Sequence, residues 1–253
     1  MSLGTRDQEY MDRTELEAAL EYAEIAAEYD VPVTLFVTGK AAKEEPERVE
    51  RLAAKENVEI GGHNYWAFDT LLHKASRGLL GSWNGPRSFQ RWEINRTIEA
   101  FASHGVEITS WRDHAYRHDD NTASLLFELG ITHFSDAVGP DEDFRKEDEL
   151  MVLPINTPPD HEHVYHGFRT EDFVSEQSFD GPFGSESYDV DQWLDWVLEA
   201  IEDALEAGQP ATVLAHPACM DIVDDLATFE ELCAQISEKD YEVHLASEVK
   251  LEV

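Results

Sequence analysis

Three histidines, His63, His114 and His216, each fall just past the end of a β-rich run of the chain. Beside them in sequence stand Gly61, Gly62 and Asn64, then Arg112 and Asp113, and then Pro217. A fourth β-rich run leads to Asp136, and a fifth to Asn156, Asp160, His161, His163 and His166. Imidazole titrates close to neutrality and is a common metal ligand, so histidines gathered with carboxylates suit proton transfer or metal binding. Singly, each has a blander reading. A histidine after a strand is usually hydrogen-bonded structure, and Gly61-Gly62 can make a tight turn. Asp160-His161-Glu162-His163 can be a solvated acidic loop, and Trp66, Trp83 and Trp92 can be core. Their joint occurrence at strand ends carries the functional reading, because residues that follow parallel strands meet at one face.

The elements that would position them alternate strand and helix. Val33–Val37 is the clearest strand, followed by 58–60, 106–111, 131–134, 151–155, 211–215 and a closing 241–245. Continuous apolar runs predict strands covered on both faces. Thr14 and Glu17 form a capping box, opening a helix whose face carries Leu16, Leu20, Ala23 and Ala27. Pro46 suits a first helical turn. Leu194, Val197, Leu198, Ile201 and Leu205 make an apolar stripe that Gly208 ends. Thr228 and Glu231 predict a second capping box for the last helix. The repeated order predicts a parallel sheet or barrel. Residues 64–90 and 156–190 break the rhythm and read as decorated loops over a site.

The chain has 253 residues, which suits a single domain spanning 1–253. Asp and Glu number 54 against 19 Lys and Arg, a formal net charge of -35. That surface argues against nucleic acid, whose phosphates call for Lys and Arg, and against anionic membranes. The acid is spread along the chain, a composition similar to that of salt-in halophiles. No run reaches the ~18 apolar residues of a membrane span, and the start lacks a secretory signal, so a cytoplasmic protein is expected. Cys219 and Cys233 offer no zinc-knuckle spacing and read as reduced, partly buried thiols.

The strand-end residues resemble those of the polysaccharide deacetylase family (NodB homology, carbohydrate esterase family 4). Val31–Gly39 is similar to its second strand, and Glu59-Ile60-Gly61-Gly62-His63-Asn64 to its "EIGnHs/t" metal motif. Trp111-Arg112 with Tyr116 is similar to "fRpPyG", Leu126–Ile131 with Asp136 to "LkelGy…wd", and Val213–Pro217 to "iLlHp". The resemblance implies an α/β fold, a distorted (β/α)7 barrel, and metal-assisted hydrolysis of N-acetyl groups on sugars. It implies His63 as a metal ligand, His216 as the acid, Arg112 as the residue that orients the base, and Asp7 as the stand-in for that base. Asn64, Trp66, His114, Tyr116 and Asp136 are the expected substrate contacts. The ion would be zinc, with cobalt, nickel or manganese as alternatives, and the partner a carbohydrate or other small amide. Two features depart from the pattern. The "TFDDG" motif is missing, with Gly4 nearest the usual aspartate, and a first strand there would be short enough to suggest a clipped start. The second histidine of HxxxH is Ala67. Further ligands must then come from His161 and His163, with His114 as another candidate. The competing expectation is a carbohydrate-binding or regulatory barrel that has lost its metal site. Oligomeric state is left open.

Overall fold

The computed structural model describes residues 6–251, apart from 148 and 178. Elements follow in the order α1 (Glu15–Glu28), β1 (Val33–Val37), α2 (Gly39–Glu44), α3 (Pro46–Ala53), β2 (Val58–Gly62), α4 (Leu71–Leu80) and α5 (Arg87–Ala102). There follow β3 (Ser110–Trp111), α6 (Thr122–Glu128), β4 (His133–Phe134), β5 (Arg145–Glu147) and β6 (Leu150–Val152). The chain ends with α7 (Asp160–His163), α8 (Glu171–Glu176), α9 (Val190–Glu206), α10 (Pro217–Asp224) and α11 (Ala227–Glu238). The sheet has six strands in the order β1-β2-β3-β4-β6-β5. All neighbours are parallel except the β5–β6 pair. β1 and β2 pair along their full length, from Val33 opposite Val58 to Val37 opposite Gly62.

The fold is α/β, as the alternation predicts, but the described sheet is open rather than laddered into a seven-stranded barrel. Two expected strands, 211–215 and 241–245, form no ladder. Side chains and neighbouring loops take up some of their backbone groups instead. Thr212 N–H donates to Asn156 Oδ1 at 2.8 Å, and Thr157 Oγ1 donates to the Thr212 carbonyl at 2.8 Å. Segment 211–216 thus lies beside 156–160. Ala246 N–H reaches Thr34 Oγ1 and Ser247 N–H reaches Glu59 Oε2, which draws the chain's end against β1 and β2. The expected first short strand around Gly4 lies outside the described residues. The strands expected over 106–111, 131–134 and 151–155 shrink to two- or three-residue ladders.

The Thr14 capping box is formed on both sides, with Glu17 N–H on the hydroxyl and the Glu17 carboxylate on the Thr14 amide. α1 buries Leu16, Ala19, Leu20, Ala23 and Ala26, while Ala27 faces solvent. On α9 the stripe turns toward Trp193, Leu194, Val197 and Ile201, leaving Leu205 exposed. Gly208, at φ +76°, terminates that helix in the left-handed conformation glycine supplies cheaply. The second capping box does not form. α11 starts at Ala227, and Thr228 donates instead to Asp224 Oδ2 at 2.5 Å. Segment 64–90 is not a bare loop either, since α4 and the start of α5 lie inside it. Gly61 and Gly62 do not turn. Both belong to β2, where a Cβ on Gly61 would stand 2.6 Å from the Phe36 ring and one on Gly62 would enter the Trp111 ring.

Candidate active site

Parallel strands deliver their C-terminal ends to one side of the sheet, and the loops that leave them build the site there. β2 ends in Gly62 and hands on His63. β3 hands on Arg112, Asp113 and His114, and the chain beyond β6 reaches α7. His216 leads into α10 with Pro217 in the first turn. Asp7 comes from a single 3-10 turn, Arg6–Tyr10. Together they surround a cavity of about 220 Å³ that Asp7, His63, Arg112, His114, Tyr116, His161, Glu162 and His216 line, with Leu214, Ala215 and Ala218 among its apolar walls. Backbone strain concentrates around it. Asn64, Ala67, Phe68, Ala115 and Tyr116 all have φ between +48° and +60°, a region non-glycine residues seldom occupy unless surrounding structure enforces it.

His216 is gripped by a buried carboxylate. Its backbone N–H donates to Asp160 Oδ2 at 2.6 Å, and its Nδ1–H donates to Asp160 Oδ1 at 2.6 Å. The His161 amide supplies a further donor to Asp160 at 2.8 Å. Burial opposes a charge on His216, but the Asp160 carboxylate and its hydrogen bond outweigh it and lift the imidazole to about 9. Nδ1 is committed to Asp160, so Nε2 is the atom free to give or take a proton. Burial also raises Glu162, against the pull of His216. The Tyr116 hydroxyl meets Glu162 Oε2 at 3.5 Å.

The opposite wall stays neutral. The Arg112 carbonyl can only accept, so His63 Nδ1 donates to it at 2.8 Å. His63 Nε2 then carries a lone pair, and His114 Nδ1 donates to it at 3.3 Å. Burial lowers His63 and takes His114 down to about 4, with the nearby cations adding to the effect.

Several expected site residues stand elsewhere. Arg112 lines the cavity, but its guanidinium bonds the Ser135 carbonyl at 3.0 Å and hydroxyl at 2.7 Å rather than Asp7, and lies over the Phe36 ring. Asn64 is a buried strut between Asp113 Oδ1 and the His114 amide. Asp136 accepts from the Asp113 amide and pairs with His118. Trp66 packs against Tyr65 and Trp92, with Arg96 over its ring. His163 turns away, donating Nδ1 to the Glu186 carbonyl inside a cage of Phe179, Phe183 and Trp196. None of these four, Asn64, Trp66, Asp136 and His163, lines the cavity.

The expected ligand trio of His63, His161 and His163 does not converge. Among the described residues, metal-ligating atoms gather within 4.8 Å in two groups, Asp7/His161/His166/Cys219 and Asp160/His216/Cys219. In sequence, Asp160, Glu162 and His166 belong to a stretch that reads as a loop, and Cys219 is an uninformative thiol. The missing signal is helical. α7 brings His161 and Glu162 to the cavity, while His163, the next residue, faces Glu186 and its aromatic cage, a division that a loop reading does not make.

Residues 12–134 match the family model of polysaccharide deacetylases. That match covers just under half of the chain, so its N-terminal half is similar to this family. Its fold is similar to those of the assigned polysaccharide deacetylases from Mycobacterium smegmatis (24% identity, TM-score 0.66, covering 92% of this chain and 74% of that one) and Pseudomonas aeruginosa (19%, 0.64, 92% and 70%). PuuE allantoinase is similar too, at 18% identity and TM-score 0.64 over 94% of this chain and 70% of that one. A family pseudoenzyme from Bacillus anthracis matches at 14% identity and TM-score 0.53 over 95% and 60% of the two chains. No curated protein matches. The metal position that the motif resemblance implies does not fit the residues here. Ala67 stands where a second imidazole would be, and His63 Nε2 is already engaged by His114.

Proposed function

We propose that the cavity hydrolyses the C–N bond of an N-acylated substrate, an acetylated carbohydrate first, with His216 as the proton donor to the leaving amine. The observation that carries this is the Asp160–His216 pair, bonded at 2.6 Å and set beside Glu162 in the cavity wall. The two groups divide the labour that amide cleavage requires. A carboxyl raised by burial is a better base than an ordinary one, so Glu162 suits removal of a proton from the attacking water. An imidazolium held by Asp160 keeps its proton until nitrogen departs. Arg112 and Tyr116 also line the cavity. Zinc, or cobalt, nickel or manganese, belongs to the wider reading through the family resemblance, but no step here passes through an ion at the motif position. Unpaired Cys219 and Cys233 suit a reducing, cytoplasmic setting, and no helix among the described residues is long and apolar enough to cross a membrane.

The test is acetate release from N-acetylhexosamine oligomers in molar KCl, with ring amides as a second substrate set because a structural neighbour is an allantoinase. His216→Gln should lower kcat by about 10²–10⁴ with circular dichroism unchanged. Absence of turnover on either set, with and without added zinc, would defeat the proposal. The second reading, a glycan-binding domain without catalysis, draws support from Ala67 and from the pseudoenzyme neighbour. It predicts glycan binding that His216→Gln leaves intact.

A further inference from the structure

Asp7 is fully buried, and neither of its carboxylate oxygens has a hydrogen-bond partner. His166 Nε2, also buried, has none. The tautomer of His166 sharpens the conflict. Its Nδ1 donates to the Val164 carbonyl at 2.8 Å, so in the neutral ring Nε2 holds a lone pair. That lone pair stands 3.3 Å from Asp7 Oδ1. Two acceptors therefore face each other in the interior, where an uncompensated carboxylate costs several kcal/mol or more. Something positive belongs between them.

The surrounding atoms show what it is. His161 Nδ1 lies 3.5 Å from Asp7 Oδ2 and 3.6 Å from Cys219 Sγ. The first gap is long for a hydrogen bond, and the second is an ordinary distance for a contact to sulfur. Both match ligand-to-ligand spacing around a tetrahedral ion, which for bonds of about 2.0–2.3 Å is about 3.3–3.6 Å. Gly167, at φ +40°, lies directly behind, where a Cβ would stand 3.2 Å from Asp7 Oδ1. Glycine there leaves the space that Asp7 and Tyr10 occupy, and a side chain would press on both. The Nδ1–H of His166 held by a carbonyl is the usual device that fixes a ligating imidazole.

We infer that Asp7, His161, His166 and Cys219 form a four-coordinate divalent-cation site of the zinc class, separate from the position that the motif resemblance implies. It uses neither His63 nor residue 67. One carboxylate and one thiolate neutralise the ion, and the thiolate favours zinc or cobalt over magnesium or calcium. Four protein ligands leave no position for water, which marks a structural rather than a catalytic ion. Its work is to tie the Arg6–Tyr10 turn to the segment after β6 and to α10. The inference does not depend on the hydrolysis proposed above.

The experiment is metal binding by the full chain. Protein stripped by chelation in molar KCl should take up one equivalent of zinc, with a higher melting temperature. Cobalt should give intense tetrahedral visible bands and a thiolate-to-metal charge-transfer band. Cys219→Ser should lose the charge-transfer band. Asp7→Asn and His166→Gln should each weaken zinc binding by at least tenfold. His63→Ala should keep the stoichiometry and the spectrum. The near-isosteric Cys219→Ser and Asp7→Asn variants, checked by circular dichroism, separate lost ligands from lost fold. Failure of wild-type protein to bind either ion, cobalt spectra without a thiolate band, or binding lost through His63→Ala would overturn the inference. A failed assay for amide hydrolysis would not touch it.

Discussion

His216 is held by opposing forces, and Asp160 decides between them. Burial would strip the ring of its charge, while the carboxylate at 2.6 Å restores it and sets the midpoint at about 9. This raised midpoint fixes the sign of the linkage. Stability from the pair is full below the ordinary histidine value of about 6.5 and is lost as pH climbs through about 9. Activity that needs an imidazolium should fall over the same alkaline window. An NMR titration of His216 in metal-stripped protein should find that midpoint, and loading zinc nearby should lower it. Asp160→Asn removes the carboxylate and leaves burial in charge, so the alkaline limb of the pH–rate profile should move to lower pH. A limb that stays in place in this variant would show that another group carries the proton. His114 behaves oppositely, kept neutral down to about 4 by burial. At this scale the sequence was informative where a motif stood at a strand end, as with His63 and His216. It was uninformative about Asp160, because a carboxylate in an acidic stretch looks the same whether it is solvated or buried under an imidazole.

Elements that depend on local chemistry were legible. The Thr14–Glu17 box forms because both partners lie within one turn. Thr14→Ala removes its hydroxyl from the Glu17 amide and from Glu45 Oε2 at 2.8 Å, so urea unfolding should show a loss of about 1–2 kcal/mol. Gly62→Ala should cost about 1–3 kcal/mol by the same measurement, since Trp111 fills the space a methyl would need. If Gly62→Ala were neutral, β2 and β3 would have to be looser than their fully buried Trp111 implies. Elements that depend on distant partners were harder to read. Segment 211–215 has a strand's composition, yet it joins no ladder, and Asn156 and Thr157 hold the Thr212 backbone instead. The Thr228 box fails because Asp224, one turn back, captures the hydroxyl. α4 was legible in principle. Thr70 accepts from the His73 amide at its start and Gly81, at φ +68°, closes it, but the aromatic and glycine content around those signals obscured them.

The whole molecule carries -35 formal charges on 253 residues, and that excess sets a condition on everything above. Some acids are locally paired, as in the Lys55–Glu24 and Lys74–Asp69 contacts. With 54 acidic side chains against 19 basic ones, most cannot be. Like charges spread over one small surface repel in the folded state and separate on unfolding, so the net field disfavours compactness. Salt shortens the reach of that field, from about 10 Å at 0.1 M to about 3 Å at 1 M. The melting temperature should therefore rise steeply as KCl increases across this interval. Screening alone has little left to give beyond about 1 M, where the field already reaches no farther than about one side chain. Any further rise in that range would come instead from salt strengthening apolar burial. KCl and NaCl should act alike in the first interval, since screening counts charge and not ion identity. A melting temperature that is flat from 0.1 to 1 M would mean that the acids are paired or protonated to an extent the ion pairs do not account for, and the salt-adapted reading of this chain would fall with it.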